Sequence, residues 1–207
     1  MPKGSPERTA ARKEEIISAC EKLYQYMSFK DITLKEIGKE TSFSRPTIYN
    51  YFQTKEEIFL ALYEREYDRW NIELEQILND NEHLSHAEIA DRIARSLENR
   101  EQLLKLLAMN NYDMEENSRE EMLRTFKGAY GKSMENVRQI LEKFCPEMKE
   151  EDIGNFIYAF FPFMFGIYPY TSVSQKQSRA MREAGVNFVP HSIYEISYSS
   201  LIRLLGE

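Results

Sequence analysis

The sequence predicts an all-α protein, and three observations carry that prediction. Eight glycines and seven prolines among 207 residues amount to about 7% of the chain against roughly 12% in average usage. That is too few turn-formers for a many-stranded sandwich or barrel. Apolar residues recur at helical spacing in one stretch after another, and no segment alternates as a half-buried strand would. Helix-opening signatures, a Ser or Thr followed three positions later by Glu, stand at Thr33, Thr54 and Ser192.

The first helix opens at Ser5-Pro6, an N-cap followed by proline at a position where the missing N–H does no harm. Ile16, Cys20, Leu23, Tyr24 and Met27 share one face of it. Residues 28–32 break the pattern, with Phe29 as a plug beneath the turn. Thr33 and Glu36 open a short second helix with Leu34 and Ile37 on one face. After a break at 41–43, Ser44-Arg45-Pro46-Thr47 starts a third helix with Ile48 and the Tyr51-Phe52 pair on its apolar side. Thr54 and Glu57 open a long fourth helix in which Tyr63, Tyr67, Trp70, Leu74 and Ile77 repeat with helical period.

Beyond residue 80 the pattern predicts helices over 84–97 and 102–112. A longer one follows, striped by Met122, Phe126, Tyr130, Val137, Ile140 and Phe144 and stopped near Cys145-Pro146. Residues 156–170 are uncharged and apolar. This run is shorter than the roughly 20 residues of a membrane span and is interrupted by Pro162, Gly166 and Pro169. It reads as a helix buried on all sides, kinked at Pro162. Ser192 and Glu195 open a terminal helix closed by Gly206.

The net charge of −7 conceals an asymmetry: residues 1–55 carry ten Lys/Arg against seven Asp/Glu, and the rest carry seventeen against twenty-seven. A mildly basic head on an acidic body suits a chain that touches an anionic polymer with one end. Three helices inside about fifty residues, the last two joined by a short turn, form a helix-turn-helix unit. Cys20 and Cys145 cannot build a disulfide framework or a cysteine-based zinc site, which favours a reducing, cytoplasmic compartment. His83 and His86 fall in an expected loop far in sequence from His191 and read as surface histidines. No nucleophile triad, phosphate-cradling glycine loop or paired-carboxylate context stands out, so no catalytic site, metal or cofactor is expected.

The stretch TLKEIGKETSFSRPTIYNYFQTKEE, residues 33–57, resembles the DNA-binding segment of TetR-family transcriptional regulators. Thr33 opens the second helix, Ile37 lies within it, Ser44 opens the third, and Ile48-Tyr49-Asn50-Tyr51-Phe52 and Lys55-Glu56-Glu57 follow in the family's order and spacing. The resemblance implies a helix-turn-helix DNA-binding domain over 1–53. It also implies a helical effector-binding and dimerisation domain over 54–207, with 54–80 as the connecting helix. The implied function is a homodimeric repressor, released from a palindromic double-stranded operator by a small effector. The alternative is an adaptor or activator of the same fold that has lost ligand-released repression.

In such proteins the third helix lies in the major groove. Carried onto this chain, Arg45 and Thr47 read bases, Pro46 offers apolar contact, and Ser44, Tyr49 and Asn50 reach phosphates or bases. Thr33 and Lys55 hold phosphates at helix starts. The family layout places effector contacts among Tyr67, Trp70, Met109, Tyr112, Phe126, Tyr130, Phe160 and Met164, which favours a largely apolar ligand. It places the dimer interface on Phe156, Phe163, Ile167, Tyr198, Leu201 and Leu205, with no membrane partner. Two departures stand out. Thr41 and Ser42 occupy the turn where the family has small Ala-Gly in a left-handed conformation, an expected strain on the order of 1 kcal/mol. Gly38 replaces the usual Ala, at a cost of up to about 1 kcal/mol.

Overall fold

The computed structural model describes residues 5–109 and 111–206, with the side chains of 111–113 left aside. Every regular element among these residues is helical: α1 (Pro6–Tyr24), α2 (Leu34–Lys39), α3 (Arg45–Ile48), α4 (Lys55–Asn79), α5 (His86–Glu98) and α6 (Glu101–Leu107) are followed by α7 (Asn111–Glu116), α8 (Glu120–Phe144), α9 (Glu150–Thr171), α10 (Gln175–Glu183) and α11 (Ile193–Leu204). The described residues of Met1–Arg65 and Asn110–Gly128 form one compact unit, and those of Glu66–Met109 and Ala129–Glu207 form another.

In the first unit, α1 turns Ile16, Cys20, Leu23 and Tyr24 inward, where Ile37, Ile48, Phe52, Ile58 and Phe59 join them. Tyr24 and Phe29 both meet Phe59 edge-on, at centroid distances of 5.2 and 4.8 Å. Phe29 is thus the plug that the sequence suggested. The caps explain where the short helices begin. Ser5 accepts from the Arg8 amide, and Thr33 accepts from the Glu36 amide at 3.3 Å. The Glu36 carboxylate takes the Thr33 hydroxyl instead of the Thr33 amide.

The turn between α2 and α3 corrects the expectation of strain. Among the described residues no non-glycine has positive φ, so neither Thr41 nor Ser42 is left-handed. The Thr41 hydroxyl instead lies at hydrogen-bond distance from the carbonyls of Gly38 (3.1 Å) and Phe43 (3.0 Å), and Glu15 accepts from the Ser42 amide. Side-chain hydrogen bonds close the turn that a left-handed glycine closes elsewhere.

In the second unit, α5 buries Ile89, Ala90, Ile93, Ala94 and Leu97 completely and packs on α11, which also packs on α9, while α6 packs on α9. A polar pin joins α4 to α8: Asn136 Nδ2 donates to Asn71 Oδ1 at 3.0 Å, and Asn71 Nδ2 donates to the Ala129 carbonyl at 3.1 Å. Both amides are buried, so each must be paired to avoid an uncompensated desolvation cost. α9 runs through Pro162 and Pro169 as one helix. No single helix among the described residues is long and apolar enough to cross a membrane.

Candidate nucleic-acid interface

Ser44 is the N-cap of α3, with Pro46 in its first turn. After one α-helical turn the chain tightens: the amides of Asn50 and Tyr51 bond to Thr47 and Ile48 carbonyls three residues back, the shorter 3₁₀ repeat. Ile48 is fully buried and anchors the segment. Ser44, Arg45, Pro46, Tyr49 and Asn50 are exposed and Thr47 is half-buried, so this one surface carries six of the eight residues proposed from the sequence to contact DNA. Arg45 Nη2 donates to the Tyr49 hydroxyl at 2.9 Å, and its guanidinium lies 5.6 Å from that ring's centroid. This pairing holds a long, otherwise mobile side chain in one orientation.

Thr33 is exposed at the start of α2. Lys55 was expected to hold phosphate with its amide, its side chain and the helix dipole together, and its side chain is engaged within the protein instead. Its Nζ donates to the carbonyls of Phe29 (2.8 Å) and Ile32 (3.2 Å) and lies 4.2 Å from the Phe29 ring centroid. Those carbonyls follow α1, where the chain turns, and a partly buried ammonium satisfies them. Arg12, which the sequence reading passed over, donates to the Tyr51 hydroxyl at 3.2 Å and lies 6.0 Å from the Phe43 ring. No local pattern marks it, because both partners lie on other elements.

The start of α4 is set by a buried carboxylate. Thr54 Oγ1 accepts from the Glu57 amide at 3.2 Å, and the Glu57 side chain takes the Gln53 amide at 2.7 Å. Arg119, ahead of α8, donates Nε to one Glu57 oxygen at 2.6 Å and Nη2 to the other at 2.9 Å. A further Nη2 contact reaches the Tyr51 carbonyl at 3.2 Å. Burial pushes the Glu57 carboxyl up, but hydrogen bonds from Arg119 and from the Gln53 and Arg119 amides outweigh it. They hold it below the usual carboxylate range.

The proposed effector contacts divide between the units. Phe126 stacks on Tyr63 at 4.9 Å in the first. In the second, Tyr67, Trp70, Tyr130 and Phe161 meet at 5.6–6.4 Å centroid distances. Phe160 and Met164 are fully buried there, and Met109 is half-buried. Phe161 belongs to this cluster although the sequence reading did not select it. The Tyr112 side chain lies outside the described residues. Trp70 Nε1 donates to Ser96 Oγ at 2.9 Å, and Ser96 lines a polar cleft of about 280 Å³ beside Glu73, Asp80, Arg92, Arg95 and Asn99.

α9 corrects the expectation of burial on all sides. Phe156, Ile157, Phe160, Phe161, Met164 and Ile167 are buried, while Tyr158 is 77%, Phe165 39% and Tyr170 64% exposed, with Ala159, Pro162 and Gly166 also exposed between them. Four of the six residues expected at a dimer interface, Phe156, Ile167, Leu201 and Leu205, are therefore buried within the chain itself. Phe163 and Tyr198 are half-buried. The residues are apolar around the whole helix, so composition did not reveal which side its neighbours cover.

Described residues whose regular elements are all helical, with an exposed α3 segment anchored by the buried Ile48, have the layout of a helix-turn-helix protein. Residues 16–62 match the family model for bacterial regulatory proteins of the tetR family. Residues 64–192 match that for the tetracyclin repressor-like C-terminal domain. The chain belongs to the TetR family of transcriptional regulators. Among curated proteins, no sequence matches it. Solved structures share its fold. The TetR-family regulator PfmR from Thermus thermophilus has 14% identity over 92% of this chain and 96% of its own, with a TM-score of 0.63. FadR from Bacillus subtilis in complex with stearoyl-CoA has 14% identity over 93% and 97%, with a TM-score of 0.62. FadR from Thermus thermophilus in complex with lauroyl-CoA, a transcriptional repressor, has 19% identity over 94% and 93%, with a TM-score of 0.60.

Proposed function

We propose that the protein is a homodimeric repressor that reads a palindromic operator with residues 44–50 and leaves it when a small effector binds. The observation that carries this reading is the exposed surface of Ser44, Arg45, Pro46, Tyr49 and Asn50 on the buried Ile48 anchor. Arg45 is the guanine reader, since a guanidinium grips O6 and N7 together, and Thr47 meets a base edge or a thymine methyl. Thr33 and the backbone at Lys55 hold phosphates. The DNA-binding segment ends at residue 53 in the family layout, inside a compact unit that continues to Arg65 and takes in the described residues of 110–128.

Two such surfaces must lie about 34 Å apart to meet successive major grooves. The outward stripe of α9, with Tyr158, Phe165 and Tyr170, supports a twofold partner better than the buried residues do. An effector that favours a wider spacing draws the population from DNA by linkage. The aromatic cluster of Tyr67, Trp70, Tyr130 and Phe161, with the polar cleft on the far side of the Trp70–Ser96 bond, supports an effector with an apolar body and a polar end. Fatty acyl-CoA thioesters, the ligands of two structural neighbours, have that form.

Selection of bound duplexes from a random pool, repeated with acyl-CoA thioesters of several lengths, tests this. A palindrome enriched without ligand and lost with it is the expected result. Enrichment only in the presence of ligand would reverse the assignment to an activator or co-repressed regulator, and no enrichment under any condition would overturn operator reading.

A further inference from the structure

We infer that His86, Cys145 and Glu147 form a binding site for a zinc-class divalent metal, where α5 begins and α8 ends. One ring nitrogen of His86, the Cys145 sulfur and a Glu147 carboxylate oxygen all lie within 4.8 Å of one another. His86 Nε2 is already 2.8 Å from Glu147 Oε1. Cys145 is fully buried, while His86 and Glu147 are 27% and 59% exposed at their side chains. The sulfur thus forms the floor of the site, and the other two donors form its solvent side.

The sequence hides this site because the donors are 61 positions apart and because residues 83–86 read as loop. The structure instead makes Ser85 the N-cap of α5 with both arms of a capping box, which fixes His86 in the first helical turn. On the other side, the Met148 amide bonds to the Cys145 carbonyl at 2.9 Å. That closes a β-turn with Pro146 at its second position, where proline pre-sets the backbone. Glu147 is thereby folded back beside the cysteine two residues before it. Lys143 holds the same corner by donating to the Leu78 and Asn81 carbonyls at 2.7 and 2.8 Å.

Donor chemistry selects the ion. Thiolate and imidazole with one carboxylate suit zinc and its neighbours, whereas calcium and magnesium demand all-oxygen shells. Tetrahedral coordination places nitrogen and oxygen ligands about 3.3 Å apart, and sulfur about 3.6 Å from either, from ordinary bond lengths. The His86–Glu147 pair opens by about half an ångström and the sulfur approaches by about one at most, shifts within rotamer adjustment. Binding releases the Cys145 proton to solvent, and a water fills the fourth position. The ion would then cross-link the α5 start to the α8 end.

The test is cobalt(II) titration of the reduced, tag-free, full-length protein. Expected are a sulfur-to-cobalt charge-transfer band and the intense visible absorption of four-coordinate cobalt at one equivalent, reversed by zinc. C145S loses the charge-transfer band, C20S keeps it, and H86A and E147A each weaken binding by at least about tenfold. Zinc raises the melting temperature of the wild type and C20S but not of H86A, a readout that holds even if C145S folds poorly. An absent spectrum, an unchanged spectrum in C145S, or equal zinc stabilisation of H86A overturns the site.

Discussion

Glu57 and Arg119 lie 62 positions apart and meet as a two-point ion pair, with Glu57 only 1% and Arg119 39% exposed at their side chains. The pair fixes the start of α4 next to the segment that follows α3, since Arg119 also holds the Tyr51 carbonyl. Arg119→Ala leaves a buried carboxylate with only two backbone donors, so a loss of about 2–3 kcal/mol is expected, because water reaches the arginine's side of the pair. Urea unfolding measures it, and an unchanged midpoint would show that the ion pair does not hold the start of α4.

The same pair sets an acid response. The folded-state pKa of Glu57 is lowered from its ordinary 4.5, so its contribution is complete above that value and disappears as pH falls through the lower folded value. Wild-type stability should decline more steeply below about pH 4.5 than that of Glu57→Gln. Parallel stability profiles for the two proteins would contradict this.

Gly38 faces Ile48 Cδ1 at 3.6 Å and the Arg45 backbone at 3.7 Å from where a Cβ would sit, which is ordinary contact. Gly38→Ala should therefore stabilise by about 0.5–1 kcal/mol through helix propensity and unfolded-state entropy. Thermal melts check it. A destabilised variant would mean that α2 and α3 are packed too closely for even a methyl group.

Arg45→Ala and Lys55→Ala should separate reading from support. The first is expected to lose about 1–3 kcal/mol of discrimination at one operator position and to keep its fold. The second gives up two charge-assisted bonds to the Phe29 and Ile32 carbonyls and should lower stability by about 1–2 kcal/mol. Its binding loss would be similar on every sequence. Binding curves at several salt concentrations beside urea melts distinguish the two, and a Lys55→Ala protein of wild-type stability would return that side chain to a purely phosphate role.

The two sides of α9 give a paired prediction. Phe165→Asp on the outward stripe should dissociate a dimer while leaving the protomer folded. Phe156→Ala on the buried side should cost about 3–5 kcal/mol of protomer stability. Sedimentation at several concentrations with parallel melts reads both. A dimer indifferent to Phe165→Asp would place the interface elsewhere.

The local signals in the chain were legible because each is short-range. Ser5, Thr33 and Ser192 cap helices through amides three residues away, and Gly206 closes the last helix at φ 88°, all as the spacing implied. The helix-turn-helix segment followed from the same kind of pattern, whereas the outward role of Ser44, Arg45, Pro46, Tyr49 and Asn50, which are exposed, came from the family resemblance. The strain expected at Thr41 and Ser42 did not, because the hydrogen bonds that replace it involve Gly38, Phe43 and Glu15, and the last lies 27 positions away.

Although the single helix expected over 102–112 is divided between α6 and α7 and α10 carried no expectation, the sequence by itself determined that the chain is helical and where the four helices before residue 80 begin. These outcomes depend on capping, period and turn chemistry within a few residues. Tertiary structure alone decided that Lys55 turns inward and that Arg119 finds Glu57. It also brought His86 to Cys145 and left one side of an apolar α9 uncovered. In each case the deciding partner is supplied by another element, and desolvation rewards the pairing only once the chain has brought the two together.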